Sequence, residues 1–356
     1  MKRITALLFS WLFISFAIAG NTATEYKITK EWKVDANTTF ELIAKNQGFK
    51  VEVWDKDVVR IDFILHSGTS KIEEEDFKDA LKINAEKTGD KLTVNTSISE
   101  LSSSSIWNWI FSNKKTKEDY SVSNTVYIPR NIASLIFSLS YCDLKIGEIN
   151  IPTKVTSNYG NVSVLKNKNR TIISSSYSDI SCGDMSHVKI SSSYSDFILN
   201  AIDTLTLSTS YGDIKLNTCS LLQSLSINYG NITIKKAGSV RATGTYSDIN
   251  INSLTQEVNT TLTYCDLKLN EIAKSISGIS ITSVYSDCTL KINPENPVNL
   301  QINDINGDIS MNNPQLIITK KHETGNVTDM AAKTKTATDA SPIIKINSKN
   351  SDIIFN

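Results

Sequence analysis

From residue 137 onward, apolar and polar positions alternate with period two in short runs, and each run breaks at the same place. Phe137 and Leu139 enclose Ser138, and Leu205 and Leu207 enclose Thr206. After the break the alternation resumes: Ile214 and Leu216 enclose Lys215, and Ile249 and Ile251 enclose Asn250. Period-two patterning over four or five residues predicts half-buried strands. Between paired runs stands a four-residue unit of Tyr, a small residue, Asp or Asn, and an apolar residue. It first reads Tyr141-Cys-Asp-Leu144 and Tyr159-Gly-Asn-Val162, and it ends its regular series at Tyr285-Ser-Asp-Cys288. The intervening tyrosines are Tyr177, Tyr194, Tyr211, Tyr229, Tyr246 and Tyr264, spaced almost throughout by 17 or 18 residues. Three degenerate copies lack the ring: Asn306-Gly-Asp-Ile309, Thr324-Gly-Asn-Val327 and Asn350-Ser-Asp-Ile353.

Inward positions fall two and four before each Tyr and three and five after it. That change of parity requires a bend at the small residue and the Asp or Asn, residue types that suit a corner. A unit of 17 or 18 residues with two short strands cannot bury its apolar side alone and must stack on copies of itself. There is no room for a crossover helix. The expected fold is all-β, a single parallel β-solenoid with one repeat per coil, right-handed by the general rule for parallel crossovers.

The flanks are less regular. Residues 20–70 read as irregular first strands and coils, with alternation at Phe49, Val51 and Val53 and again at Val59, Ile61 and Phe63. Residues 71–120 read as an insertion or cap. It comprises a short helix over Lys71–Leu81, two strands meeting at Thr88-Gly89-Asp90, and a Ser-rich loop carrying Trp107 and Trp109. Regular coils are expected over 121–327, a mobile loop over 328–342, and a terminal coil over 343–356. Open ends of a stack need covering, which is why a cap is expected.

Composition narrows the function. The 356 residues carry 37 Lys+Arg against 37 Asp+Glu, a balance that argues against a nucleic-acid partner. Residues 1–19 combine Lys2 and Arg3 with an apolar run and a small-residue end at Ala17-Ile18-Ala19, the pattern of a secretory signal peptide. No later stretch reaches the length of a membrane-spanning helix, so an exported chain is expected, in the periplasm, on the outer surface or extracellular.

The signal peptide, the opening FELIAKNQGFKVEVWDKDVVRIDF and the serial Tyr-Gly/Ser-Asp-Ile coils resemble the bacterial "putative adhesin" family of unknown function, common in Bacteroidetes. The resemblance spans about residues 26–356. It implies a secreted or surface β-solenoid, and it brings no active-site residues with it.

Candidate chemistry is sparse. The Asp/Asn column reads first as corner capping. Its alternative is a cation site, Ca2+ relieving repulsion between stacked carboxylates, with Asp179, Asp196 and Asp213 as the candidates. The Tyr column reads as an internal or corner ladder, its parity matching the buried positions before it, with a strip for stacking sugar rings as the alternative. Trp107 and Trp109 are either buried in the cap or an exposed pair marking a partner or glycan surface. Five cysteines without paired spacing read as free buried thiols. Ser112-x-x-Lys115 and Ser186-x-x-Lys189 lack the companion motifs of acyl enzymes, and three scattered His give no metal-ligand spacing. The sequence therefore points to a non-catalytic envelope or surface protein without cofactor, binding a protein or a glycan. A carbohydrate-binding module is the runner-up and a polysaccharide-active β-helix enzyme the remote alternative.

Overall fold

A computed structural model describes residues 24–67, 74–98, 120–293 and 295–356. The expected signal peptide, Trp107, Trp109 and Ser112 lie outside the described residues. Within them the chain is all-β, with 25 strands, mostly in parallel pairings, and a single helix over Glu74–Ala80 that buries Phe77. No helix among the described residues is long and apolar enough to cross a membrane. The chain forms two compact units, residues 1–171 and 172–356.

In the second unit the repeat sets the register. Ile180 pairs with Phe197, Phe197 with Ile214, Ile214 with Ile232, Ile232 with Ile249, and Ile249 with Leu267, always in parallel. The inward positions are the predicted ones: Leu205, Leu207, Ile214 and Leu216 are buried while Lys215 is exposed. Each buried Leu or Ile contributes about 1.5–3 kcal/mol by leaving water. The apolar columns are thus what keep successive coils in step.

The end of this unit departs from the sequence order. Ile343–Lys349 is inserted between Gly278–Val284 and Asn299–Ile305, parallel to both, and Ile353–Phe355 lies between Cys288–Ile292 and Ile309–Met311. The last residues of the chain thus form an inner coil, not an outer one. Beyond it, Asn299–Ile305 pairs antiparallel with Val327–Thr334, which pairs antiparallel with Leu316–Thr324. Residues 328–334, expected in a loop on composition, are therefore in a strand, because Met330, Ala332 and Thr334 alternate inward. Thr324-Gly-Asn-Val327 is the tip of this hairpin, with Gly325 at a φ of 61°, and not a coil corner.

The first unit is built similarly. Thr39–Lys45 lies parallel to Lys91–Ile98 on one side and Ser134–Ser140 on the other, and Phe49–Trp54 lies parallel to Tyr120–Pro129 and to Leu144–Ile149. Its margins are antiparallel: Thr24–Lys33 against Val58–Ser67, Val58–Ser67 against Tyr120–Pro129, and Leu81–Thr88 against Lys91–Ile98. Part of the stretch expected to form opening coils therefore runs antiparallel at the margin. Charged side chains such as Lys27, Lys30 and Lys33 on Thr24–Lys33 discourage further strand addition.

Candidate interaction surface

Each corner is fixed by backbone geometry. Tyr141, Tyr159, Tyr177, Tyr194, Tyr246, Tyr264 and Tyr285 all have φ between 52° and 58°, the left-handed region that bulky residues avoid. At Tyr211 and Tyr229 the positive φ moves to the following glycine, 136° at Gly212 and 140° at Gly230. The left-handed turn reverses side-chain parity, so the small residue after Tyr points inward and the ring outward. Ser178, Ser195, Ser247, Cys265 and Ser286 are buried, whereas the tyrosines are half-exposed. The tyrosines are a corner ladder and not an internal one: whether the turn lies at Tyr itself or, at Tyr211 and Tyr229, at the glycine after it, the ring is left outward.

Several of the inward small residues are hydrogen-bonded twice. The Ser286 hydroxyl donates to the carbonyl of Val284 (3.0 Å) and accepts from the Cys265 N–H (2.8 Å). Ser195 does the same with Ser193 (3.3 Å) and the Ser178 N–H (3.2 Å), and Cys265 does so through its sulfur with Thr263 (3.3 Å) and the Ser247 N–H (3.1 Å). Where this slot carries a side chain it is a small one that can donate and accept, and Gly160, Gly212 and Gly230 fill it with none. Sequence patterning found the size preference and missed the bonds.

The Asp column acts between coils, not within one. Asp213 N–H donates to Asp196 Oδ1 (2.8 Å), Asn231 N–H to Asp213 Oδ1 (2.8 Å), Asp266 N–H to Asp248 Oδ1 (3.1 Å) and Asp287 N–H to Asp266 Oδ1 (3.1 Å). Each carboxylate so capped satisfies a corner N–H of its neighbour. Asp179, Asp196 and Asp213 are all exposed at these corners. Among the described residues no group of three or more His, Cys, Asp or Glu is placed to hold a metal ion.

A further corner escaped sequence reading. Asn46 has a φ of 61°, its N–H donates to Ser140 O (3.0 Å), and Phe49 pairs with Leu144. Asn46-Gln47-Gly48-Phe49 is therefore a copy that has lost both Tyr and Asp. The Asn that replaces Tyr at Asn306 and Asn350, also left-handed at 61° and 51°, was the signal that could have found it.

The ring ladder is regular. From Tyr177 to Tyr285 in the second unit, successive ring centroids are 4.6 to 5.3 Å apart and the planes within 6° of parallel. In the first unit Tyr141 and Tyr159 stack at 4.9 Å. Inside the ladder both faces of every ring are covered by neighbouring rings. A sugar needs an open ring face to stack on, so the strip offers only ring edges and phenol hydroxyls to a ligand.

Beside the ladder runs a column of outward hydroxyls. Ser191, Ser208, Ser226, Thr243, Thr261 and Thr282 stand in register on successive coils. Among the described residues their hydroxyls bond no protein group. At strand spacing they repeat about every 4.8 Å. Elsewhere in the second unit, a groove of about 710 Å3 is lined by amides including Asn252, Asn270, Asn312 and Asn356. Asn270 Nδ2 donates to Asn252 Oδ1 (3.0 Å) and Asn312 Nδ2 to Asn356 Oδ1 (3.2 Å). The first unit has a groove of about 570 Å3 beside Lys45, Lys82, Asn95 and Asn158.

All five cysteines are free and buried. Burial pushes the Cys142 and Cys219 thiols up to about 11 and those of Cys182 and Cys288 to about 12, and it raises Cys265 as well. Such thiols stay protonated and unreactive at neutral pH. Ser186 and Lys189 make no hydrogen bond with one another among the described residues.

The corners, ladder and parallel register define an all-β repeat protein of β-solenoid type. No known protein family matches the chain, and no curated protein does. Among solved structures, a "putative cell adhesion protein" from Clostridium sporogenes aligns over 93% of this chain and 98% of its own, at 10% identity and a TM-score of 0.23. A score that low carries neither fold detail nor function from one chain to the other.

Proposed function

We propose that the chain is a non-catalytic, exported β-solenoid that presents a regular polar surface to a partner at the cell envelope. The solenoid is right-handed with coils of 17 or 18 residues, and it is exported on the signal peptide at 1–19. The observation that carries this proposal is the division of labour among hydroxyls. The inward corner hydroxyls of Ser195 and Ser286 are each bonded twice inside the chain, while the outward column from Ser191 to Thr282 is periodic and, among the described residues, bonds no protein group. A periodic hydroxyl surface without converging titratable groups binds by repetition and holds no reacting atom.

The test is fractionation of cells producing the tagged full chain, followed by capture of partners from intact envelopes. The chain is expected in the envelope or medium, and Thr243→Ala/Thr261→Ala/Thr282→Ala is expected to weaken capture. A purified chain that cleaves or modifies a glycan would overturn the proposal.

Carbohydrate binding is the second reading, favoured by the amide-lined groove around Asn270, whose neutral donors and acceptors suit a hydroxylated ligand. A glycan array with Asn270→Ala as the control tests it. Binding indifferent to that change, or no binding, removes it.

A further inference from the structure

The tyrosine ladder is more than a corner device. A left-handed φ suits Asn, and Asn306 and Asn350 occupy the same kind of corner, so the backbone does not call for a ring. Stacking offsets the strain of placing Tyr there, yet 40 to 52% of each residue from Tyr177 to Tyr285 still faces water. At roughly 200 Å2 per side chain, seven half-exposed rings make a continuous strip of ~700 Å2. The largest patch on an ordinary monomer is about 300–600 Å2, and a standard complex covers about 800 Å2 on each partner. The strip is therefore the size of one side of a stable interface, and it consists of a residue type enriched in such interfaces.

We infer that the strip from Tyr177 to Tyr285 is a self-association surface whose occupant is a second copy of this chain. Three observations select that occupant. The rings repeat every 4.6 to 5.3 Å. A partner of any other period falls out of step after a few rungs, whereas a second copy keeps step along the whole strip. The ring faces are covered by one another, which removes ligands that bind by stacking and leaves edges and hydroxyls to meet edges and hydroxyls. The flanks are also self-complementary. On the chain segment before the rings stand hydroxyls without internal partners among the described residues, at Ser193, Thr245 and Thr263. After the rings stand carboxylates at Asp196, Asp248 and Asp266, each with one oxygen bonded to the next coil and the other without a partner among the described residues. A two-fold axis along the stack sets the hydroxyl flank of one copy against the carboxylate flank of the other. Reversing the second copy would set carboxylates against carboxylates, a repulsive arrangement.

Light scattering on the full chain over a series from about 1 to about 100 µM tests this, with Tyr194→Asn/Tyr246→Asn/Tyr264→Asn beside the parent. Asn fits the left-handed corner, so the variant is expected to keep its β-sheet circular dichroism. The parent should be a dimer in the upper part of the range, and the triple variant should associate at least ~100-fold more weakly. Should three changes unfold the chain, Tyr246→Asn alone serves, with a loss of roughly tenfold. A parent that stays monomeric throughout overturns the inference, as does a dimer indifferent to these changes. A monomer whose glycan binding depends on the same tyrosines assigns the strip to carbohydrate and overturns it too.

Discussion

Replacing Gly230 by Ala adds one methyl group where two coils come close together. Gly230 has a φ of 140°, and a Cβ there would overlap the carbonyl oxygen of Gly212 and lie 2.8 Å from its carbon. An L residue held at such an angle costs about 1–3 kcal/mol. The overlap is with backbone, so relief requires the coils to part at the corner. Parting loosens the bonds from Gly212 N–H to Tyr229 O (3.1 Å) and from Ile214 N–H to Asn231 O (2.8 Å). Each contributes about 0.5–1.5 kcal/mol, which places the total loss at about 2–6 kcal/mol. One escape limits it: Tyr229 can adopt the left-handed angle that Tyr246 has ahead of Ser247, at a cost of about 1–2 kcal/mol. Gly325→Ala is the internal comparison, because Gly325 also has positive φ, 61°, but open space around its missing Cβ. Only the backbone penalty of roughly 1 kcal/mol applies there. Urea unfolding followed by far-UV circular dichroism of the parent and both variants measures the three stabilities. A Gly230→Ala chain within ~0.5 kcal/mol of the parent would refute the close-approach argument.

The inward columns predict that Ile214→Asp, which places an unpaired charge at a 2% exposed position, costs at least ~4 kcal/mol, whereas Lys215→Asp changes stability by less than ~0.5 kcal/mol. Similar values for the two in the same unfolding assay would reverse the assignment of faces. At the corner, Asp196→Asn keeps an acceptor for the Asp213 N–H and should be nearly neutral, while Asp196→Ala loses it and should cost about 0.5–1.5 kcal/mol. Equal losses in both variants, with added Ca2+ stabilising the parent but neither variant, would show that charge and a bound cation matter more than the bond. For Asp62, burial acts to raise the carboxyl, but hydrogen bonds from Arg60 (2.7 Å), Lys27 (2.9 Å) and Thr29 (2.8 Å) outweigh it and hold it below its ordinary 3.8. The folded state thus prefers the ionised form, so this contribution is present at neutral pH and lost as pH falls below 3.8 through the lower folded value. Asp62→Asn should flatten the acid limb of a stability–pH curve, and an unchanged limb would count against the ion cluster.

How far the sequence carried the fold depends on which physics each feature obeys. The coil interior was legible because burial selects residue by residue: Leu205, Leu207, Ile214 and Leu216 announce their face by period alone. The side on which the tyrosines lie was not, because hydropathy parity assumes an extended backbone and the left-handed angle at Tyr breaks that assumption. Sequence could place Asp196 and Asp213 at corners, but not choose between bonding along the chain and bonding across it, since both use the same carboxylate oxygen. The ends were least legible. Nothing in the composition of Ile343–Lys349 distinguishes an outer coil from one inserted between Gly278–Val284 and Asn299–Ile305, because every coil presents the same alternation to both neighbours. That degeneracy has to be resolved elsewhere, and the antiparallel hairpin over Leu316–Thr324 and Val327–Thr334 supplies the means. It pairs with the outer side of Asn299–Ile305 and so leaves the inner side for the last segment of the chain. A repeat that makes all coils interchangeable gives the stack its regularity, and the irregular end segments then decide where it stops.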